Sequence, residues 1–312
     1  MNKYVKIMRP DHWIKQLFIV PGSVAAFLLT HKSMPDLFDM AGRFLLGFVS
    51  TCLIASANYS INEWLDADFD RFHPTKKKRT VVTEGVKGSV VWILWGILSI
   101  LGFCAGFFVG RMFFVAVVWL WVMGLLYNVK PVRTKDIPIL DVLSESLNNA
   151  IRLLLGWAVV SGNTLPPVSI LLGYWMCGAF LMATKRFAEF RMIGDPDLAG
   201  HYRKSFKYYT EKSLLISAFF YALCAVFFTG IFLLKYRIEL ILFIPALMGL
   251  FCYYFYLSFK DDSAVQKPEK LYHEKTLMIY VFALCVLFIV LMLVPIPWLH
   301  WFITDELITV GS

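Results

Sequence analysis

Apolar stretches of about twenty residues recur along the chain, separated by short segments that hold nearly all of its charge. They fall near 13–30, 40–62, 89–109, 112–128, 138–160, 166–184, 213–234, 238–258 and 276–298. A helix needs ~20 mostly apolar residues to cross the hydrocarbon layer. The pattern therefore predicts nine crossings, the first the shortest. The expected fold class is all-α: a polytopic bundle of nine transmembrane helices, forming one membrane domain over residues 1–312.

Composition excludes the ordinary alternatives. Hydrophobic residues make up 59% of the chain and charged residues 17%. A soluble domain carries about 25% charged residues, so this chain cannot cover its own surface with polar groups. That removes a soluble enzyme. It also removes a nucleic-acid partner, despite a net charge of +8.

The placement of the cations supplies their explanation. With the N-terminus in the cytoplasm, the stretch 1–15 and the even-numbered loops hold 24 of the 30 Lys and Arg residues. Lys32, Arg111, Lys235 and Arg237 fall on the opposite side, and Arg43 and Arg152 lie within predicted helices. This asymmetry is what the positive-inside rule predicts. The expected location is the cell (inner) membrane, multi-pass, with the chemistry on the cytoplasmic side. No small-residue cleavage site follows the basic stretch Met1–Lys15, so no removable signal peptide is expected. The six cysteines all fall inside predicted helices without a CxxC pair. They read as small buried hydrophobes rather than a disulfide framework or zinc site.

The end of the second predicted helix concentrates acids. Asn62, Asp66 and Asp70 recur every four residues and share one helical face, with Glu63 adjoining and Asp68 turned away. Oxygen-bearing side chains on one face repel unless something positive sits between them. Mg²⁺ suits such a set, because it takes a few carboxylates and shares its other positions with substrate phosphates and water. Asn58 and Asn62 lie within or close to the bilayer, where polar groups are usually functional. Arg71, Lys76, Lys77, Lys78 and Arg79 follow at once. Acids followed directly by cations make a phosphate site.

Two more constellations lie on the same side. Tyr127, Lys130, Arg133, Lys135 and Asp136 precede Asp141, Glu145, Asn148 and Arg152. The last four form one polar stripe on a membrane helix; an ion pair between Glu145 and Arg152 is its plain structural reading, but its alignment with a second cationic loop favours a shared active cavity. The sixth helix closes with Lys185, Arg186, Glu189 and Arg191, followed by Tyr202, Arg203 and Lys204.

The Asn62–Asp70 spacing resembles the NDxxDxxxD motif of the UbiA superfamily of intramembrane prenyltransferases. Within it, local segments are most similar to the decaprenyl-phosphate phosphoribosyltransferase family. Arg9-Pro10-Asp11-His12-Trp13-Ile14-Lys15-Gln16 resembles that family's RPxxWxKN opening. His73-Pro74-Thr75-Lys76 follows the acidic motif as it does there. Lys135, Asp141-Val142-Leu143, Arg152 and Gly156 resemble its LKxxxxxDV…R…G segment, and Lys185-Arg186…Glu189 resembles its KRxxE. The similarity runs from residue 9 to about 205; helices over 213–298 carry no motif. Glu63 replaces the usual Asp, Gln16 replaces Asn, and Arg79-Thr80 replaces Arg-Pro.

The resemblance implies a UbiA-like fold and a Mg²⁺-dependent phosphoribosyltransferase acting in cell-wall arabinan precursor synthesis. Its donor would be phosphoribosyl pyrophosphate and its acceptor polyprenyl (decaprenyl) phosphate, with membrane lipids around it and a homo-oligomer left open. Asn62, Glu63, Asp66 and Asp70 would hold Mg²⁺ and pyrophosphate. Asp66, Asp70 and Asp141 would be catalytic, Asp141 through the ribose hydroxyls or a second metal. Lys76, Arg79, Lys135, Lys185 and Arg186 would bind phosphates, and Arg9 and Lys15 the lipid phosphate. Asn58, Tyr127, Glu145, Arg152, Glu189, Tyr202 and Arg203 complete the expected substrate site. A prenyltransferase using an aromatic or carotenoid acceptor is the alternative, and a non-enzymatic transporter a more distant one.

Overall fold

The computed structural model describes residues 2–30, 37–73, 76–260, 263–266, 271 and 273–302. Lys32 and the Pro74-Thr75 pair of the His-Pro-Thr-Lys turn lie outside them. The described residues are helical and contain no strand. In order they form α1 (Lys3–Ile7), a ten-residue 3-10 helix (Pro10–Ile19), α2 (Val20–Thr30), α3 (Leu37–Leu65) and α4 (Ala67–Asp70). Then come α5 (Thr80–Glu84), α6 (Gly88–Val109), α7 (Arg111–Asn128), α8 (Leu140–Val160) and α9 (Val168–Ile193). The chain ends with α10 (Pro196–Tyr202), α11 (Glu211–Tyr236), α12 (Phe243–Leu257) and α13 (Lys275–Leu293).

Local chemistry sets several of these boundaries. Gly110 alone separates α6 from α7, at a φ of 147° that residues with a Cβ rarely adopt. Pro196 occupies the first turn of α10, where its missing N–H costs nothing, and the Asp195 carboxylate accepts from the Asp197 and Leu198 amides. Thr210 and Ser213 cap α11 reciprocally.

Among the described residues, eight helical segments are long and apolar enough to cross a membrane, beginning with Lys3–Thr30. The remaining predicted crossing, 138–160, is the 21-residue α8, long enough to span but rich in polar side chains. Its surroundings explain how that is tolerated. Twelve of its 21 residues are buried, against six of 22 in α6. It packs against α2, α3, α7 and α9, which keep its polar stripe away from lipid.

The contact between α2 and α8 is backbone against backbone. A Cβ on Gly156 would lie 1.8 Å from the Ile19 carbonyl oxygen, and one on Gly22 1.9 Å from that of Leu153. Such close approach lets Ser23 Oγ donate to the Gly156 carbonyl at 2.9 Å. Small residues at a membrane crossing allow this dense packing. Gly156→Ala should therefore destabilise the fold by about 3 kcal/mol, the upper part of the overpacking range. A melting curve in detergent checks this; an unchanged midpoint would show that the two helices separate without cost.

One sequence expectation needs correction. All six cysteines are free and helical, but Cys104, Cys252 and Cys285 are exposed and only Cys52 is buried. On a membrane helix an exposed thiol meets lipid, so apolar character suffices without burial in protein.

Candidate active site

The acidic face survives the break between α3 and α4. Although α3 ends at Leu65, the Asp66 amide still donates to the Asn62 carbonyl (3.0 Å) and the Asp70 amide to that of Asp66 (2.8 Å). Asn62, Asp66 and Asp70 thus stay in register on one side. Asn62 Nδ2 donates to Asp66 Oδ2 at 3.2 Å and also to Asn128 Oδ1 at the end of α7. Asp68 points away, its side chain 88% exposed beside Arg71.

The loop after α7 brings cations onto this face. Arg133 Nη2 reaches Asp66 Oδ1 at 2.8 Å, and Lys135 Nζ reaches the same oxygen at 2.5 Å. Arg133 holds a left-handed backbone (φ 29°) and also donates to the Asn128 carbonyl and to Asp136. A non-glycine residue in that region is strained and persists only where its surroundings fix it. Here three acceptors hold the guanidinium. Burial opposes ionisation of Asp66, but Lys135 and Arg133 outweigh it and hold the carboxyl below its usual range. Burial pushes the Lys135 ammonium down to about 8, against the pull of Asp66.

Asp70 pairs with Arg79 at 2.7 Å. Burial raises its carboxyl above the ordinary value despite that guanidinium. Lys76 bridges to Glu189 of α9 at 3.0 Å and meets the Tyr202 hydroxyl. His73 Nδ1 accepts the Lys76 amide at 3.1 Å, and burial brings its imidazole down to about 3, keeping it neutral. These contacts tie the segment after α4 to α9 and α10.

Behind this layer sits Arg186, 1% exposed. Its guanidinium meets Glu145, Glu189 (3.2 Å) and Asp141 (3.5 Å), and donates to Tyr127 Oη (3.3 Å). Tyr127 in turn donates to Glu145 at 2.7 Å. Asp141 is fully buried: Tyr209 donates to Oδ1 at 2.7 Å and Ser205 to Oδ2 at 3.0 Å, with Arg203 3.8 Å away. The Glu145–Arg152 pair read from the sequence does not form. Glu145 is taken by Arg186, and Arg152 Nε donates to Gln16 Oε1 at 2.8 Å. Seven residues put the two on one face but ~10 Å apart along the axis.

A small cleft opens between these groups, lined by Asp66, Phe69, Asp70, Arg133, Lys135, Asp136, Tyr202, Arg203 and Lys204. The Phe69 ring lies under the Arg133 and Lys204 cations, at 5.1 and 5.9 Å. Of the residues singled out in the sequence, Asp66, Asp70, Lys135, Tyr202 and Arg203 line the cleft. Lys76, Arg79, Tyr127, Glu145, Arg186, Glu189 and Asp141 form the paired network around it. Asp141 is not among the lining residues; with both oxygens engaged, it anchors Ser205 and Tyr209. Asn58 Nδ2 faces α7, donating to the Leu120 carbonyl at 3.1 Å, and Asn58 does not line the cleft. Glu63 is buried and does not line the cleft. Lys15 Nζ lies 3.2 Å from the buried His12 ring, Arg9 pairs with Asp11 at 3.5 Å, and Lys185 lies in α9 next to Arg186. Sequence reading assigned no role to Arg133, Asp136, Lys204 or Asn128. The charge density of the 129–137 loop carried the signal for the first two, and the terminal amide of α7 for Asn128. Ser205 and Tyr209 bear no distinguishing pattern.

The donor set fits a substrate-completed Mg²⁺ site better than a closed cage. Among the described residues no three His, Cys, Asp or Glu side chains converge to hold an ion by themselves. Asp66 and Asp70 nevertheless line one cleft, with Asn62 bonded to Asp66. Mg²⁺ commonly takes one or two carboxylates and completes its shell from phosphate oxygens and water.

Comparison with known proteins agrees with this architecture. The profile of the UbiA prenyltransferase family matches residues 18–279. The decaprenyl-phosphate phosphoribosyltransferase of Mycolicibacterium smegmatis is 28% identical over 218 residues, 67% of this chain and 63% of that protein. The chain thus matches somewhat less than two thirds of that relative's length. The enzyme of the same name from Mycobacterium tuberculosis is 30% identical over 216 residues, 67% of each chain. A UbiA homolog from Archaeoglobus fulgidus, solved bound to GPP and Mg²⁺, superposes with a TM-score of 0.67 at 19% identity, covering 91% of this chain and 99% of that one.

Proposed function

Because the chain belongs to the UbiA prenyltransferase family, we propose that it transfers a 5-phosphoribosyl group from phosphoribosyl pyrophosphate to a polyprenyl phosphate. The products are phosphoribosyl-phosphoryl-polyprenol and pyrophosphate. The observation that carries this reading is the density of cations at the cleft. Arg133, Lys135, Arg203 and Lys204 line it beside three carboxylates, and Arg79 joins them through its pair with Asp70. A donor with a 5-phosphate besides its diphosphate, meeting a phosphate-bearing acceptor, calls for that many cations. A prenyl diphosphate with a neutral acceptor calls for fewer.

A phosphate oxygen of the acceptor attacks ribose C1, the C1–O bond to pyrophosphate breaks, and pyrophosphate leaves with the electron pair. The nucleophile is already an anion, so no side chain has to remove a proton. Asp66 and Asp70, with Asn62, would hold Mg²⁺, which would neutralise the departing charge when bound. Arg133 and Lys135, now paired with Asp66, stand where a pyrophosphate oxygen draws them across. Arg203 and Lys204 line the same cleft. Arg186 and Asp141 brace the residues behind it. Positioning and charge stabilisation therefore provide the catalysis. The cationic loops support a cytoplasmic position for the cleft, the side on which the positive-inside rule expects them.

The test uses purified protein with labelled phosphoribosyl pyrophosphate, polyprenyl phosphate and Mg²⁺. Prenyl diphosphate with an aromatic acceptor is supplied in parallel. Lipid-linked ribose phosphate is expected in the first reaction and is lost on chelation with EDTA. Product in the second reaction alone would replace this reading with prenyl transfer.

A further inference from the structure

Deeper in the bundle than the cleft, Arg152 carries a charge that no carboxylate answers. It lies seven residues beyond Glu145 on α8, ~10 Å along the helix axis. No described Asp or Glu comes within ion-pairing distance of it. Its Nε donates to Gln16 Oε1 at 2.8 Å and its Nη1 to Asn149 Oδ1 at 3.3 Å, both neutral partners. Gln16 is fully buried, and its amide Nε2 has no hydrogen-bond partner. Arg152 is half-buried, with Cys52 of α3 and Tyr174 of α9 within electrostatic reach of its guanidinium.

A guanidinium inside a membrane protein is costly unless paired, and a buried amide donor without an acceptor adds to that cost. Both groups only donate where they are unsatisfied. They share one complement: a negatively charged oxygen positioned between them. The cleft cannot provide it, because its carboxylates are held by Arg133, Lys135 and Arg79.

We infer that Arg152 and Gln16 form an oxyanion subsite for the anionic group of the acceptor, separate from the cleft that handles the donor's diphosphate. The lipid phosphate as that group rests on the function proposed above; the subsite itself does not. Its position inside the bundle suits an anion carried on an apolar tail, which enters between helices. Inorganic phosphate lacks such a carrier.

Gln16→Glu provides the discriminating variant. It keeps the side-chain shape and places a carboxylate beside Arg152, filling the subsite from within. Melting of the full-length protein in detergent is measured without donor or Mg²⁺, in the presence of farnesyl phosphate, farnesol, inorganic phosphate or 4-hydroxybenzoate. Farnesyl phosphate is expected to raise the midpoint of the wild type, farnesol and inorganic phosphate to leave it unchanged, and Gln16→Glu to lose the response while melting no lower. In turnover, its KM for lipid phosphate should rise by about tenfold or more, the scale of a lost charge-assisted contact, with KM for donor unchanged. Gln16→Asn, which keeps an uncharged amide one methylene shorter, should retain a weakened farnesyl phosphate shift where Gln16→Glu shows none, so that loss of the response is traced to the added charge. Equal protection of wild type and Gln16→Glu by farnesyl phosphate would overturn the subsite, as would equal protection by inorganic phosphate. Protection by 4-hydroxybenzoate alone, lost in Gln16→Glu, would uphold the subsite and overturn the lipid-phosphate acceptor. Absence of phosphoribosyl transfer by a wild type that still shows the farnesyl phosphate shift would count against the proposed reaction only.

Discussion

Asp66→Asn is expected to lower kcat by about two to three orders of magnitude, the usual scale for removing one preorganised electrostatic group from an active site. The substitution is isosteric, so the packing of α3 against α4 is kept. What it removes is the charge on which Arg133 and Lys135 both converge, at 2.8 and 2.5 Å. Without it two buried cations face each other across a neutral amide, and a bound Mg²⁺ loses one of its two carboxylates. Raising Mg²⁺ should recover little of the rate. Asp68→Asn is the control, because Asp68 projects away from the cleft with its side chain 88% exposed. Steady-state transfer rates over a Mg²⁺ titration, with melting curves to confirm folding, decide the matter. Wild-type turnover by Asp66→Asn at saturating Mg²⁺ would end the metal assignment.

The largest effect on stability is expected at Arg186. Its side chain is among the largest that are fully buried, and it sits among three acids: Asp141, Glu145 and Glu189. Arg186→Met preserves most of the volume but strands those acids. Breaking a buried ion pair from one side typically costs about 3–5 kcal/mol, because the remaining charge has no counterion. The variant should therefore melt far below the wild type or fail to accumulate in membranes. Adding Glu145→Gln to Arg186→Met should recover part of the loss, since it removes one stranded charge, and a double-mutant cycle measures the coupling. A single variant that melts with the wild type would mean that Arg203 and Lys76 already neutralise the acids, and that Arg186 is not the centre of the network.

Much of this arrangement is visible before any coordinates. Asn62, Asp66 and Asp70 share a face because helical periodicity is local, and that periodicity persists through the α3–α4 junction. Asp68 is excluded by the same rule. The crossing at 138–160 is also legible, although α8 carries Asp141, Glu145 and Arg152 among its apolar residues. Legibility ends where a side chain's partner lies far away in sequence. Asp141 reads as catalytic until Ser205 and Tyr209, more than sixty residues on, are seen to occupy its oxygens. Asn58 reads as a substrate group until α7 takes it.

The sequence by itself determined the membrane bundle, the acidic face and the side on which cations gather. Each follows from hydropathy, helical period or charge counting, which depend on neighbouring residues alone. Only the tertiary structure decided which cation meets which acid. Arg and Lys have long, flexible side chains that can reach any of several carboxylates, so their pairing depends on where separate helices are packed. Glu145 chose Arg186 over Arg152 for that reason, and Arg152 was left with Gln16.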